Sequence, residues 1–476
     1  MDSKKPGYMT AWMMIFGHNW LTLLGGVIGG FSTVLMFGLG IMSLTESASS
    51  PYLGVVAYMV LPNFLVLGLG FVIIGILWAR RRRHKGQPDS QLVIDFNSPN
   101  TRRAALTCFI ITAFTLFVMA IVTYEGAVYV DSVPFCGKVC HTVMEPEYTA
   151  YSLSPHLRVK CVECHVGPGM QGFVESKLAG LKQVAAVALN TCPRPIESPV
   201  TTLRPARDTC EHCHWPEKFT GDRLKVITKF QDDETNSPLK TVLLLHIGGG
   251  GTGQKGIHSW HISPKHQTYY TPADRKRQSI ARVRVVNNDG TEFTFKTPED
   301  KFTPEQLKDA KERRMDCIDC HNRPSHIFKL PATEMDLSMA AGRINPKIPY
   351  IKKLGVETLT DAKGGEHDLQ QISDKVSAFY NEKYPDFLKE NKAMVDSAIA
   401  EIQAIYKRNV FPKMNLTWGV HPNNLGHELF PGCFRCHDDS MQSSDGKSVG
   451  QDCTICHTVL AWDEADPEIL QKLGQQ

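Results

Sequence analysis

The chain has 476 residues, a length that allows two or three domains. Its 52 Lys and Arg side chains nearly balance 49 Asp and Glu, and a net charge of +3 gives no reason to expect a nucleic-acid partner. The 14 cysteines are more informative, because 12 of them form six short clusters that each end in Cys-His. A chain with so many thiols is expected outside the reducing cytosol.

Three apolar stretches occupy the first quarter of the chain, and none contains Lys, Arg, Asp or Glu. They span about 20–44, 53–79 and 104–124, and each is long enough to cross a bilayer as a helix. A cleavable signal peptide is the alternative for the first stretch, but its apolar run is longer than a typical signal sequence and no small-residue cleavage site follows it. We therefore predict a membrane domain over residues 1–125 with three transmembrane helices.

Positive charges flank these helices on one side of the membrane. They are Lys4 and Lys5 before the first helix, Arg80, Arg81, Arg82, Arg83 and Lys85 after the second, and Arg102 and Arg103 before the third. The loop over residues 45–52 has no Lys or Arg. Because such residues collect on the cytoplasmic side, we expect a multi-pass protein of the bacterial inner membrane whose chain lies in the periplasm after about Glu125.

Five of the clusters read Cys-x-x-Cys-His, the attachment motif of c-type haem. Two thiols bond to the vinyl groups of one haem, and the adjacent histidine ligates the iron. Zinc sites also use paired cysteines, but they do not require a histidine directly after every second cysteine. The motifs predict covalent attachment through Cys161, Cys164, Cys210, Cys213, Cys317, Cys320, Cys433, Cys436, Cys453 and Cys456, with His165, His214, His321, His437 and His457 as proximal ligands.

The first cluster, Cys136-Gly-Lys-Val-Cys140-His141, has three residues between its cysteines instead of two. We predict a sixth haem c here, with His141 as proximal ligand. A non-haem role is the alternative, because the extra residue changes how the thiols meet the vinyl groups. Met144 follows closely and its thioether could be the second axial ligand, although simple packing accounts for it nearly as well. Cys192 has no assigned role.

Electron-transfer haems usually have a second axial ligand, because six-coordinate iron exchanges electrons with little rearrangement. Setting the six motif histidines aside from the 18 present leaves 12. The preferred distal ligands are His156, His258, His261, His326 and His427, with His246 and His421 in reserve. For each of these, an ordinary surface or hydrogen-bonding histidine is the alternative.

The remaining chain is predicted to be mainly α, with little regular structure around the haems. Residues 222–300 alternate Val, Ile and Thr and contain an Asp289-Gly290 turn, which predicts a small β-containing segment. Residues 303–313 and 369–408 show helical spacing of apolar residues. We predict a haem domain over 126–240 with the first three haems and a C-terminal periplasmic extension over 241–476 with the last three.

The stretch from about Ala104 to Trp215 resembles the NapC/NirT family of quinol-oxidising cytochromes. The shared features are a membrane helix, a first haem motif trailed by Met144, and Ser154-Pro-His156 upstream of the second motif. Three membrane helices, the phrase Cys213-His-Trp-Pro-Glu-Lys-Phe and a long C-terminal extension are similar to the ImcH-type inner-membrane cytochromes of metal-respiring bacteria. The chain departs from the family pattern in the spacing of its first motif and in the position of Met144, three residues after His141.

The resemblance implies a quinol dehydrogenase of the quinol:cytochrome c oxidoreductase type. The first haem would lie at the membrane surface, take electrons singly from menaquinol and pass them through the other haems to periplasmic c-type cytochromes, towards extracellular metal. Quinol oxidation releases protons and requires a nearby base or polar group. The nearest candidates are Glu145, Glu147, Tyr148, Lys177 and Lys182. Lys177 matches the place of the family's quinol-pocket lysine best, although a solvated helix face explains it about as well.

Two other functions remain open. The chain could be a terminal reductase in which a five-coordinate haem binds nitrite or hydroxylamine, or an anchor and donor subunit for a separate reductase. The supply of distal histidines and the absence of a lysine-containing haem motif favour an electron conduit. The sequence leaves open whether the chain forms homo-oligomers.

Overall fold

A computed structural model of the chain describes residues 20–44, 60–84, 97–166, 170–200, 205–249, 256–263, 265–298 and 301–474. The chain forms two compact units, Met1–Val139 and Cys140–Gln476, and each is described here by itself. The predicted boundary near residue 240 stays a prediction.

The first unit is built from three long helices: α1 (Trp20–Leu44), α2 (Leu61–His84) and α3 (Pro99–Val130). Each contains a segment long and apolar enough to cross a membrane, namely Trp20–Leu39, Leu61–Ala79 and Phe109–Val130. These segments confirm the three predicted membrane helices. The start of the second predicted helix, before residue 60, lies outside the described residues.

Glycines let α1 and α2 approach until their backbones touch. A Cβ atom on Gly25 would lie 2.5 Å from the carbonyl oxygen of Gly68, and one on Gly68 would lie 2.7 Å from the backbone nitrogen of Gly29. Small residues allow such close packing in membranes, where van der Waals contact replaces the hydrophobic effect between helices. Met36, together with Leu65, lies in the small apolar core of this unit.

The second unit places short helices at its Cys-His motifs and adds two antiparallel sheets. Its first helices are α4 (His141–Ser152), α5 (Cys161–His165), α6 (Met170–Ala188), α7 (Arg207–Cys210) and α8 (Ile257–His261). Its strands are β1 (Asp222–Phe230), β2 (Pro238–His246), β3 (His266–Pro272), β4 (Ile280–Asn287), β5 (Glu292–Lys296), β6 (Arg313–Arg314), β7 (Gln442–Ser443) and β8 (His457–Glu464).

The strands confirm the β-containing segment predicted over residues 222–300. One sheet has the order β1-β2-β8 and the other the order β6-β3-β4-β5-β7. The predicted Asp289-Gly290 turn connects β4 to β5, and Gly290 has the positive φ of 83° that a tight turn favours. Because β8 begins at His457, its pairing with β2 fixes the last motif beside the first sheet.

Most of the remaining chain is helical. These helices are α9 (Pro304–Leu307), α10 (Cys317–Cys320), α11 (Pro331–Ala340), α12 (Ile351–Asp361), α13 (Asp368–Lys383), α14 (Pro385–Asn409), α15 (Cys453–Cys456) and α16 (Glu468–Gly474). We call α11–α14 the helical module. It has the largest apolar core of the described residues, which includes Met335, Ile351, Ile372, Tyr380 and Ile402.

The mainly α class is confirmed, and so is the helical prediction for residues 369–408. These residues form two helices that are separated at Tyr384, directly before Pro385, and the second helix is kinked at Asn391. The helix predicted over residues 303–313 is wrong beyond Leu307. A capping box at Thr303 starts that helix, but Arg313 and Arg314 pair with Tyr270 and Tyr269 of β3 instead. Pairing with a neighbouring strand outweighs local helix propensity there.

Candidate functional site

The regular Cys-His motifs each fold as a short helical turn. Residues three and four apart share one face of such a turn, so both cysteines and the following histidine can meet one planar group. The turn brings the backbone N–H of His214 to 2.8 Å from the Cys210 oxygen and that of His321 to 2.8 Å from the Cys317 oxygen. Asp316 and Asp452 cap the turns of the fourth and sixth motifs, because each accepts a hydrogen bond from a backbone N–H.

Four motif histidines each face a histidine from elsewhere in the second unit. The distances between ring centroids are 6.0 Å for His156 and His214, 6.3 Å for His165 and His326, 6.0 Å for His261 and His437, and 6.1 Å for His427 and His457. All four partners belong to the predicted distal set.

These separations fit one iron between each pair of rings. Two metal–imidazole bonds of about 2 Å and two ring radii of about 1.2 Å place the centroids of opposed ligands about 6.4 Å apart. Aromatic rings in face-to-face van der Waals contact lie closer, as the Trp260 and His266 rings do at 4.4 Å. The paired rings are therefore spaced for axial ligation of a metal such as haem iron.

The fourth motif has a histidine partner as well. His258 is an electrostatic neighbour of the motif residue His321. Its Nδ1 atom lies 2.7 Å from the carbonyl oxygen of Ile247 at the end of β2, which fixes the ring orientation. Its ring centroid is 4.9 Å from that of Phe219. With His258, each regular motif has one of the five predicted distal histidines nearby.

Regular motifs that are neighbours in sequence are also neighbours in space. Cys164 of the second motif has Cys210 of the third among its electrostatic neighbours. The Cys210 thiol in turn is within hydrogen-bonding reach of Cys317 in the fourth motif. The remaining steps join Cys320 to Cys436 and Cys456 to Cys433. The second to sixth motifs thus form one continuous row.

Comparison with known proteins fits this arrangement. A model of the NapC/NirT cytochrome c family, N-terminal region, matches residues 98–195. The chain is 40% identical over 454 residues to the cytochrome c-type protein ImcH of Geobacter sulfurreducens, with 93% of this chain and 89% of that protein covered. The chain belongs to the NapC/NirT cytochrome c family.

A second relative matches a shorter part of the chain. The cytochrome c-type protein NrfH of Wolinella succinogenes is 30% identical over 105 residues, which cover 21% of this chain and 59% of that protein. No solved structure matches the chain. As a NapC/NirT cytochrome with three membrane-spanning segments, the protein is a membrane-anchored electron-transfer protein that carries covalent haem c.

The first motif of this cytochrome is divided between the two compact units. Cys136 lies in a single π-helical turn, Phe135–Val139, whereas Cys140 directly precedes α4, which begins at His141. The His141 side chain lies outside the described side chains. Met144 is half-buried in the first turn of α4, so its ligation of a first haem stays a prediction. Cys192, which had no assigned role, is an electrostatic neighbour of Cys140.

The predicted quinol-site residues occupy two helices. Glu145 is exposed on α4, and Lys182 is exposed on α6. Lys177 also lies on α6, but its side chain is outside the described side chains. No ion pair joins Glu145 to Lys182 in the described part of the chain. The role of Glu145, Lys177 and Lys182 in a quinol site stays a prediction.

The two reserve histidines have other environments. His246 lies with its Nδ1 atom 2.9 Å from Asp222 and its Nε2 atom 3.0 Å from the Thr458 hydroxyl. His421 is buried with its ring centroid 6.0 Å from that of Phe328. Burial lowers the pKa of His421 to about 4, so this ring is neutral in the folded protein near pH 7.

Glu147 contacts one of the candidate distal ligands. Glu147 was among several residues considered as a base for quinol oxidation. The structure places its carboxylate oxygen 3.1 Å from Nδ1 of His326, the partner of His165 in the second motif. No local pattern could reveal this contact, because 179 residues separate Glu147 from His326 in the chain.

Proposed function

We propose that this cytochrome oxidises menaquinol in the membrane and relays the electrons through six c-type haems to periplasmic c-type cytochromes. The observation that carries the proposal is the set of four opposed histidine pairs along a row of motifs. Iron with two histidine ligands exchanges electrons without gaining or losing a ligand. Each quinol gives up two electrons and two protons, and the electrons enter the row one at a time.

The same pairs disfavour a terminal reductase. A reductase needs an open iron coordination position for nitrite or hydroxylamine. The rings of His156, His261, His326 and His427, which face motif histidines, would fill that position at their motifs. His258, an electrostatic neighbour of His321, would fill the same position at the fourth motif. An electron conduit therefore accounts for the histidine arrangement better than a catalytic haem does.

The proposed orientation rests on the distribution of positive charge. Lys4, Lys5 and the Arg80–Arg83 run would lie in the cytoplasm. The chain after Glu125, which contains all six motifs, would then lie in the periplasm. Haem c is attached to thiols after export from the reducing cytosol, so this orientation also suits its assembly. An alkaline phosphatase fusion after Gln476 should be active, and an inactive fusion with an active cytoplasmic reporter would reverse the topology.

The central test is anaerobic reduction of the lipid-embedded protein by a menaquinol analogue, followed by haem absorbance. We expect rapid reduction that slows at least tenfold in Lys177→Gln or Met144→Leu. Lys389→Gln, which changes an exposed lysine of the helical module, is the control and should reduce at the wild-type rate. Absence of reduction by the quinol, with dithionite still reducing every haem, would exclude quinol oxidation.

The haem count and coordination are tested separately. Peptide mass mapping should find haem on the cysteine pairs of all six motifs, including Cys136 and Cys140. Carbon monoxide binds reduced haem that has an open position, so the reduced protein should not bind it at the five regular motifs. Stoichiometric carbon monoxide binding at one of those motifs would instead favour the reductase.

A further inference from the structure

Glu147 makes an unusual contact with an axial-ligand candidate. It lies on α4, the helix that begins at His141 of the first motif, and is mostly buried. Nδ1 of His326 is hydrogen-bonded to the backbone oxygen of Glu147 at 3.0 Å, and the Glu147 carboxylate lies beside the same Nδ1 atom at 3.1 Å. The His326 ring faces His165 across the 6.3 Å gap described above. Glu147 thus touches the distal ligand of the second motif on the side away from the iron position.

Arg323 holds this carboxylate in place. Its guanidinium donates to both carboxylate oxygens of Glu147 at 3.0 and 3.1 Å, and to the Ser198 hydroxyl at 3.2 Å. The Arg323 side chain is only 6% exposed, and its guanidinium carbon lies 5.0 Å from the centre of the Phe328 ring. A buried cationic partner that contacts both carboxylate oxygens limits the motion of the carboxylate.

The other distal histidines have different surroundings. Nδ1 of His258 faces the backbone oxygen of Ile247, and Nδ1 of His261 faces that of Ile257. Nδ1 of His156 is buried without a hydrogen-bond partner in the described part of the chain. Of the five distal histidines in the described ranges, His326 is the one that faces a carboxylate.

A charged group beside a ligating histidine affects the reduction potential of the haem iron. A carboxylate in contact with the outer ring nitrogen of a ligating histidine makes that histidine more basic, so the histidine gives more electron density to the metal. Extra electron density stabilises ferric over ferrous iron and lowers the reduction potential. A backbone carbonyl acceptor has no net charge and produces a smaller effect.

We propose that Glu147 is a positioning residue that orients His326 on the second haem and lowers the reduction potential of that haem. The inference rests on the proposed function in one respect, because it requires a haem at the second motif. An electron on the second haem would then pass readily to the third. Because α4 begins at His141 of the first motif, this helix would hold the side chain of Glu147 that affects the reduction potential of the second haem.

The test compares Glu147→Gln and Glu147→Asp with Glu163→Gln in the full, lipid-embedded protein. Glu163 lies between the cysteines of the second motif, is exposed, and does not contact His326. Its replacement removes one negative charge near the same haem and leaves the contact between the Glu147 carboxylate and His326 intact. Potentials are measured by spectroelectrochemical titration, and ligand geometry by the electron paramagnetic resonance signals of the low-spin ferric haems.

We expect Glu147→Gln to raise the potential of one haem and to shift the g-values of one low-spin signal. Glu147→Asp keeps the charge but shortens the side chain, so it should alter the same signal. Conversion of one haem to high spin in either variant also supports the positioning role, because the sixth ligand has then been lost. Glu163→Gln should leave every g-value unchanged.

Two results would overturn the inference in distinguishable ways. If Glu147→Gln and Glu147→Asp retain wild-type potentials and signals while mass mapping finds haem on Cys161 and Cys164, Glu147 does not tune the second haem and the proposed function stands. If wild-type protein has no haem on those cysteines, the six-haem proposal itself fails and the inference fails with it.

Discussion

The ring of His261 faces that of His437 with centroids 6.0 Å apart and planes inclined by 72°. His437 is the histidine of the fifth of the six motifs, and His261 is the last residue of the short helix α8. The Nδ1 atoms of the two rings face the backbone oxygens of Ile257 and Gly450, so both Nε2 atoms are free to point at a metal between them.

Replacement of His261 by alanine should therefore leave one haem with a single histidine ligand. We expect that haem to become high-spin and to bind carbon monoxide when reduced, while the total haem content stays at the wild-type level. Magnetic circular dichroism and carbon monoxide titration measure the two effects.

His266→Ala is the matched control for this variant. His266 lies five residues further along the chain, where its Nε2 atom contacts the Trp260 backbone oxygen at 2.9 Å and its ring stacks on the Trp260 indole. No motif histidine faces it among the described side chains, so the haems of the five regular motifs should remain low-spin. A high-spin haem in His266→Ala, with none in His261→Ala, would reassign the ligand.

Haem attachment could be predicted from the sequence, whereas the pairing of ligands could not. A Cys-x-x-Cys-His motif is local, and one helical turn brings its three side chains to a common face. The histidine that faces a motif is selected by tertiary packing: His156 faces His214 of the third motif although it lies directly before the second. His326 follows the fourth motif but faces His165 of the second.

Helices and membrane spans were predictable for a similar physical reason. An uninterrupted apolar run or a 3.6-residue repeat is determined by neighbouring residues, as in α1 and α14. The predicted helix beyond Leu307 failed because Arg313 pairs with Tyr270, far away in sequence. The row of motifs also depends on such distant contacts, including the approach of Cys210 to Cys317.

Because α1 packs closely on α2, we expect alanine to destabilise the protein at Gly25 but not at the adjacent Gly26. In Gly25→Ala the new Cβ would lie 2.5 Å from the Gly68 oxygen and 2.8 Å from the Val72 nitrogen, both backbone atoms that cannot rotate away. We expect a loss of about 1–3 kcal/mol in stability, typical of overpacking. Gly26→Ala is the control, since nothing lies within 4 Å of its Cβ position.

Thermal unfolding of the detergent-solubilised protein, monitored by circular dichroism, measures this difference. Both variants gain the same helix propensity from alanine, so the contact with α2 is what separates them. Equal melting temperatures for Gly25→Ala and Gly26→Ala would show that the two helices do not pack through Gly25.

Asp319 should be much more important for stability than the corresponding residue of the second motif. It is 3% exposed and accepts hydrogen bonds from the Tyr270 hydroxyl at 2.6 Å and the Asp316 backbone N–H at 2.8 Å. Arg277 and Arg313 also pair with it, at 3.3 and 3.2 Å. Removing one member of a buried ionic network costs about 3–5 kcal/mol, because its partners remain buried.

Asp319→Ala is thus expected to lower the melting temperature and to reduce haem incorporation at Cys317 and Cys320, as measured by peptide mass mapping. Glu163→Ala changes the same position of the Cys-x-x-Cys-His pattern, but Glu163 is exposed and should be neutral. If both variants melted together at the wild-type temperature, the buried network around Asp319 would contribute nothing to stability.

The helical module should lose stability in acid through Glu401. Burial alone would raise the pKa of this carboxyl, but hydrogen bonds from Ser338, Arg343 and Arg408 outweigh burial and hold the pKa below its ordinary value of 4.5. The folded state therefore binds a proton less readily than the unfolded state. Its stabilising effect is complete above about pH 4.5 and disappears as the pH falls through the lowered pKa.

Glu401→Gln should lower the melting temperature at pH 7, because Arg343 and Arg408 lose a charged partner. Below pH 4.5 the melting temperature of this variant should also depend less on pH than that of wild type, because the variant lacks a carboxyl group that takes up a proton on unfolding. Glu390→Gln, at an exposed position of the same helix α14, should follow the wild-type curve at every pH. If the melting temperatures of wild type and Glu401→Gln fell equally as the pH was lowered, carboxyl groups other than Glu401 would cause the acid sensitivity of the module.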